Sequence, residues 1–136
     1  MGGFFMKEKT KGWVELAKRD LYASKKSKDD KFITNISCFH AQQAIEKILK
    51  AMLEEKDLPV PKIHDLIKLY KIVQDSFNIK LNEENLQKIS VVYVETRYPS
   101  DIGLLPSGFP SVEEANEIYN LAEGIFEDVI KFLKKK

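Results

Sequence analysis

The sequence has little of what most catalytic and metal sites are built from. Its one cysteine, Cys38, cannot close an internal disulfide, so nothing points to an oxidising compartment. Cys38 sits within Ile36-Ser37-Cys38-Phe39, where a small buried hydrophobe is expected rather than a reactive thiol. Two histidines and one cysteine are too few for a structural zinc site, and no metal or cofactor is expected. No glycine-rich phosphate loop and no nucleophile elbow is present.

Other absences set the class of molecule. No stretch approaches the roughly 20 apolar residues of a membrane span. Residues 1–6 are too few for a signal-peptide core, and Lys7-Glu8-Lys9 follows at once, so a cytoplasmic protein with no membrane partner is expected. The net charge of +1 removes the simplest argument for a nucleic-acid binder, although a local basic patch is compatible with it. Arginine is confined to Arg19 and Arg97. Glycine (6) and proline (5) are scarce among 136 residues, while 43% are hydrophobic, which argues against disorder and suits one domain over 1–136.

What remains is helical periodicity. The spacing of Trp13, Leu16, Ala17, Leu21 and Ala23 predicts a helix over 10–26, with Asp20 out of place near its apolar side. Asp29 or Asp30 is a candidate N-cap for a second helix over 30–55. Its wide apolar stripe, from Phe32, Ile33, Ile36 and Phe39 to Leu53, suits the middle of a bundle. Pro59-Val60-Pro61 ends that helix. A third is predicted over 63–76, and a fourth from Asn82 to about Thr96, stopped by Pro99. Residues 98–110 read as the long irregular stretch. Ser111 with Glu114 forms a capping-box pattern for a last helix running to the C-terminus. Strand signals are confined to the β-branched run at 90–94, whose helical flanks favour a helix. The expected fold is all-α: an antiparallel, up-and-down bundle of four to five helices.

The chemistry lies in polar residues on these helices. His40, Gln43 and Lys47 share one stripe, and Glu46 and Lys50 are placed to pair with each other. The stripe reads either as a hydrogen-bonded or exposed flank, or as a polar cleft or dimer seam. His64 and Asp65 open the third helix, where an acid is routine and a histidine is a surface group or a packing spacer. Arg97-Tyr98-Pro99 places a guanidinium where a helix meets a proline. It serves there as a clamp on Glu95 or Asp20, or as a fork for a ligand's phosphate or carboxylate.

Four elements taken together carry a resemblance. They are Trp13-Val14-Glu15-Leu16-Ala17-Lys18-Arg19-Asp20-Leu21, then Cys38-Phe39-His40-Ala41-Gln42-Gln43-Ala44-Ile45-Glu46-Lys47-Ile48-Leu49-Lys50-Ala51, then His64-Asp65-Leu66 and Arg97-Tyr98-Pro99-Ser100. In order and spacing the chain resembles the HEPN family (higher eukaryotes and prokaryotes nucleotide-binding domain). The resemblance implies a bundle of four to five helices, often a homodimer, commonly found beside or fused to a minimal nucleotidyltransferase. It also implies similarity to the substrate-binding domain of kanamycin nucleotidyltransferase.

Two functions follow from that resemblance. One is a metal-independent endoribonuclease, the toxin of a toxin–antitoxin pair, whose arginine is followed four to six residues later by a histidine. Arginine there stabilises charge developing on phosphorus and histidine moves protons. Arg97 matches the arginine, but Asp101, Ile102, Gly103 and Leu104 follow where the histidine belongs. The preferred expectation is therefore a non-catalytic binding subunit, without catalytic residues, for a nucleotide or small polar substrate, or for a nucleotidyltransferase partner. In it Arg97 holds a phosphate or carboxylate with Tyr98 packed beside it. His40, Gln43, Glu46 and Lys47 line a cleft or dimer seam, with His64 a further candidate.

Overall fold

The computed structural model describes residues 6–97 and 109–134, with residues 93–97 as backbone only. The described residues form five helices: α1 (Glu8–Ser27), α2 (Thr34–Glu55), α3 (Leu66–Ser76), α4 (Glu83–Arg97) and α5 (Val112–Lys134). No strand occurs among them, and the β-branched run at 90–94 is helical. The all-α expectation holds. None of these helices is long and apolar enough to cross a membrane.

The boundaries follow from local hydrogen bonding. Asp30 does not cap α2. Its carboxylate accepts the Phe32 amide (2.9 Å) and its carbonyl accepts that of Ile33 (3.0 Å), which spends residues 30–33 on a turn. The helix therefore starts at Thr34, four residues later than the periodicity predicts. α3 also starts late, because Asp65 is its N-cap and accepts the amides of Ile67 (2.9 Å) and Lys68 (3.1 Å). His64 and Asp65 thus precede the helix. Asn82 caps α4 through the Asn85 amide at 3.1 Å. At α5 the expected capping box is complete: Ser111 N donates to Glu114 Oε1 (2.7 Å) and Glu114 N to Ser111 Oγ (3.0 Å).

α2 is the axis of the bundle. Ala41, Ala44, Ile45, Ile48, Leu49, Met52 and Leu53 are fully buried against residues of the other four helices, including Ala17, Leu69, Ile89 and Ala122. α1 runs against α2, joined by the paired hydroxyls of Ser24 and Ser37 at 3.1 Å. Residues 56–65 return along α2, so that His64 sits beside Gln42 and α3 then runs in the same sense as α2. α4 runs against α5, with Lys88 paired to Glu117 at 3.4 Å. The Pro110 carbonyl accepts the Thr34 hydroxyl at 2.6 Å, which puts the start of α5 beside the start of α2.

One packing expectation is wrong. Phe32 (92% exposed), Ile36 (43%) and Phe39 (39%) belong by spacing to the apolar stripe of α2, yet they face solvent. The stripe is wider than the surface its neighbours cover, and its N-terminal flank is left open. Leu16 on α1 is open as well, at 47% exposure.

Candidate functional site

Two carboxylates placed where a bundle would bury apolar groups organise the polar residues of α2. The first is Asp20 on α1, 8% exposed. Its Oδ1 lies 2.8 Å from His40 Nδ1 and its Oδ2 lies 2.5 Å from Lys47 Nζ. One acid thus holds two groups seven residues apart on α2, and these are the groups that helical spacing stacks on one stripe. The imidazole edge of His40 also meets the Phe39 ring, with centroids 5.2 Å apart.

The second carboxylate is Glu46, 4% exposed. Lys50 Nζ donates to it at 3.0 Å from one turn on, and His64 Nδ1 reaches both of its oxygens at 3.1 Å. Gln42 Nε2 donates to the His64 carbonyl at 2.9 Å, and Gln43 Nε2 donates to Gln42 Oε1 at 2.9 Å. Lys50 is itself only 6% exposed, and its ammonium stands 5.9 Å from the Trp13 ring. The Trp13 indole N–H in turn donates to Glu54 at 3.2 Å. A buried ion pair is favoured where further hydrogen bonds engage its polar atoms, and here both Glu46 oxygens have more than one partner.

The structure therefore brings His40 and Lys47 together on Asp20, and Glu46 and His64 together with Lys50. Gln43 links to the second group through Gln42. The anticipated Glu46–Lys50 pair forms. Asp20, anomalous on its helix, serves the α1–α2 seam. Arg97 closes α4, but its side chain lies outside the described residues, as do Glu95 and Tyr98, so the anticipated phosphate or carboxylate clamp there falls outside them too. Gln42 is the member that periodicity does not reveal. Its one signal is polarity on the strip that the returning segment 56–65 covers.

Mutual pairing leaves these side chains few free valences. What the α1–α2 face does present is apolar. Leu16 lies one turn from Asp20, Ile36 one turn from His40, and Phe39 one turn from Gln43, so exposed hydrophobes alternate with anchored polar groups. Beside them a shallow open depression is lined by Gly12, Trp13, Leu16 and Glu54. Among the described residues no group of three or more His, Cys, Asp or Glu side chains is placed to hold a metal ion. Burial pushes the Cys38 thiol up to about 12, with the Glu114 charge adding to the effect, so it is a poor nucleophile.

Comparison with known proteins agrees with this architecture. The HEPN domain model matches residues 10–134. No curated protein matches the chain. Among solved structures it is similar to TT1696 from Thermus thermophilus, with a TM-score of 0.71 and 24% identity, covering 92% of this chain and 98% of that one. It is also similar to ST0689, an archaeal HEPN homologue, with a TM-score of 0.66 and 22% identity over the same shares of the two chains. At these identities the likeness to the solved structures is one of fold.

Proposed function

The chain belongs to the HEPN domain family, and from that premise we propose that it is a non-catalytic binding subunit that acts by docking to protein. It pairs with a second copy of itself through the α1–α2 face and serves a minimal nucleotidyltransferase that supplies the catalysis. The observation that carries this reading is the exposure of Leu16, Ile36 and Phe39 between the anchored groups His40, Gln43 and Lys47. A rigid face with an apolar centre and a polar rim is what a protein interface requires. A nucleotide would instead need unpaired donors, and Asp20 and Glu46 already hold most of those on α2.

Sedimentation equilibrium tests the pairing. A dimer is expected, converted to monomer by Phe39→Glu or Ile36→Glu with the helical circular dichroism unchanged. A wild-type monomer at high micromolar concentration would sink it. Calorimetry with ATP should show no heat for the isolated protein, whereas co-purification with the nucleotidyltransferase should survive.

A second reading, the metal-independent endoribonuclease, draws on one specific contact. Asp20 engages His40 Nδ1, which leaves Nε2 as the ring nitrogen turned from that contact, on a ring that is part-exposed. Cleavage of cellular RNA that is lost in His40→Ala and retained in His64→Ala would favour this reading over the first.

A further inference from the structure

The net charge of +1 conceals a separation of charge. Residues 7–31 carry nine basic and five acidic side chains, whereas α5 carries six acidic and two basic. On α1 the basic groups are ordered. Lys11, Lys18 and Lys25 recur every seven residues and so lie on one stripe, on the side of the helix away from α2. Tyr22 follows Lys18 by four residues and precedes Lys25 by three, which seats it between them on that stripe. It is 62% exposed. The Lys26 ammonium stands over its ring, 5.4 Å from the centroid.

Not every cation on α1 is available. Lys11 is paired with Glu8 at 3.8 Å, and Arg19 with Glu15 at 3.0 Å. Lys18 and Lys25 have no acidic partner among the described residues. The result is an exposed aromatic ring flanked by Lys18, Lys25 and Lys26, whose charges no carboxylate of the described fold neutralises.

We propose that this face of α1, centred on Tyr22, binds single-stranded nucleic acid. Lys18, Lys25 and Lys26 would meet backbone phosphates, and the Tyr22 ring would stack on an unpaired base. Lys18 and Lys25 lie about 10 Å apart along the helix axis, a separation that a flexible strand can follow. The ring decides between anionic partners. A duplex keeps its bases stacked and offers Tyr22 nothing. An acidic peptide satisfies the lysines and leaves the ring unused. An anionic membrane needs a larger apolar flank than one tyrosine. The face lies apart from Leu16, Ile36 and Phe39, so the inference does not rest on the docking proposed above.

Fluorescence anisotropy of the full chain with labelled oligo(U) and oligo(dT) at low salt provides the test. Binding is expected, with a log–log salt slope of about −2 for three phosphate contacts on a single strand. Lys18→Gln and Lys25→Gln should each reduce the slope by about 0.7, and Tyr22→Ala should weaken binding about tenfold. Circular dichroism should be unchanged in all three, because the positions are at the surface. Absence of binding at low salt would overturn the proposal, as would binding that the three variants leave intact. Equal affinity for duplex, or equal displacement by polyglutamate, would also overturn it. So would binding to phosphatidylserine vesicles that outcompetes the oligonucleotides.

Discussion

The carboxylate of Asp20 sits 2.8 Å from the imidazole of His40, and the same acid holds Lys47. This is a side-chain tie between α1 and two positions about two turns apart on α2. Removing it leaves a half-buried ammonium and an oriented imidazole without their acceptor. Asp20→Ala should therefore lower stability by about 2 kcal/mol, the range for hydrogen bonds to charged groups. Asp20→Asn, which keeps an acceptor oxygen, should lose less. Urea unfolding followed through Trp13 fluorescence measures both. An Asp20→Ala midpoint equal to the wild type would mean that the tie contributes nothing.

The Glu46–Lys50 pair calls for a different experiment, because both ends are buried. Glu46→Ala strands Lys50 in the interior and should cost about 3–5 kcal/mol. Replacing both residues by leucine and methionine should cost much less than that single change, since no charge is then left unpaired. His64 would lose its carboxylate in either case. The double variant thus also reports how far the segment before α3 depends on that contact, read from its amide-exchange protection.

Much of this was legible in the chain where the interacting groups are close in sequence. Ser111 with Glu114, Asn82 ahead of α4, and Glu46 with Lys50 are each separated by three or four residues, and each forms as its spacing implies. Cys38 is buried as its apolar neighbours suggest. The misreadings have physical causes. Asp30 looks like a cap because turns and caps use the same side-chain acceptor, and only the partner amide separates them. Phe32, Ile36 and Phe39 satisfy the apolar period of α2, but a period cannot tell how much of a helix its neighbours cover. Asp20 stands out at once, yet its partners lie 20 and 27 residues away, beyond any local rule.

Asp57 offers a backbone test. It ends α2 with φ at 56°, in the left-handed region, while Leu58 N donates to the Leu53 carbonyl at 2.9 Å and Asp57 N to that of Glu54 at 3.0 Å. This is the helix ending that glycine favours. Asp57→Gly relieves the strain but removes the surface ion pair with Lys7. In a Lys7→Ala background that loss is absent, and the glycine should raise stability by up to about 1 kcal/mol. A thermal melt that shows a lower midpoint in that background would contradict the assignment.

Alkaline pH should weaken the fold through two groups. The Cys38 thiol is held up to about 12 from an ordinary value of 9.0, first by burial and then by Glu114. The Tyr119 phenol is likewise held up to about 12 from 10.0, by burial and by its hydrogen bond to Glu123. The folded state then keeps protons that the unfolded chain has released. Stability is fully present below pH 9.0 and falls as the pH rises towards 12. Urea midpoints taken from about pH 8 upward should decline, and Cys38→Ala should flatten the first part of that decline. The same burial predicts that a thiol reagent labels Cys38 only once urea has unfolded the protein.

The corner at Glu55 and Lys56 has a practical consequence. Lys7 donates its amide to Glu55 at 3.1 Å, and Phe132 and Leu133 border a pocket with Glu55 and Lys56. Both ends of the described chain therefore emerge at one pole. The start of α2 and Pro110 lie at the other, roughly 30 Å away along a helix the length of α1. A short linker from Lys134 to Lys7 should permit circular permutation, with new ends opened in the turn at residues 28–33. Fluorophores carried at the old termini would also report on the Glu55 pole without touching the Phe32 end of the bundle.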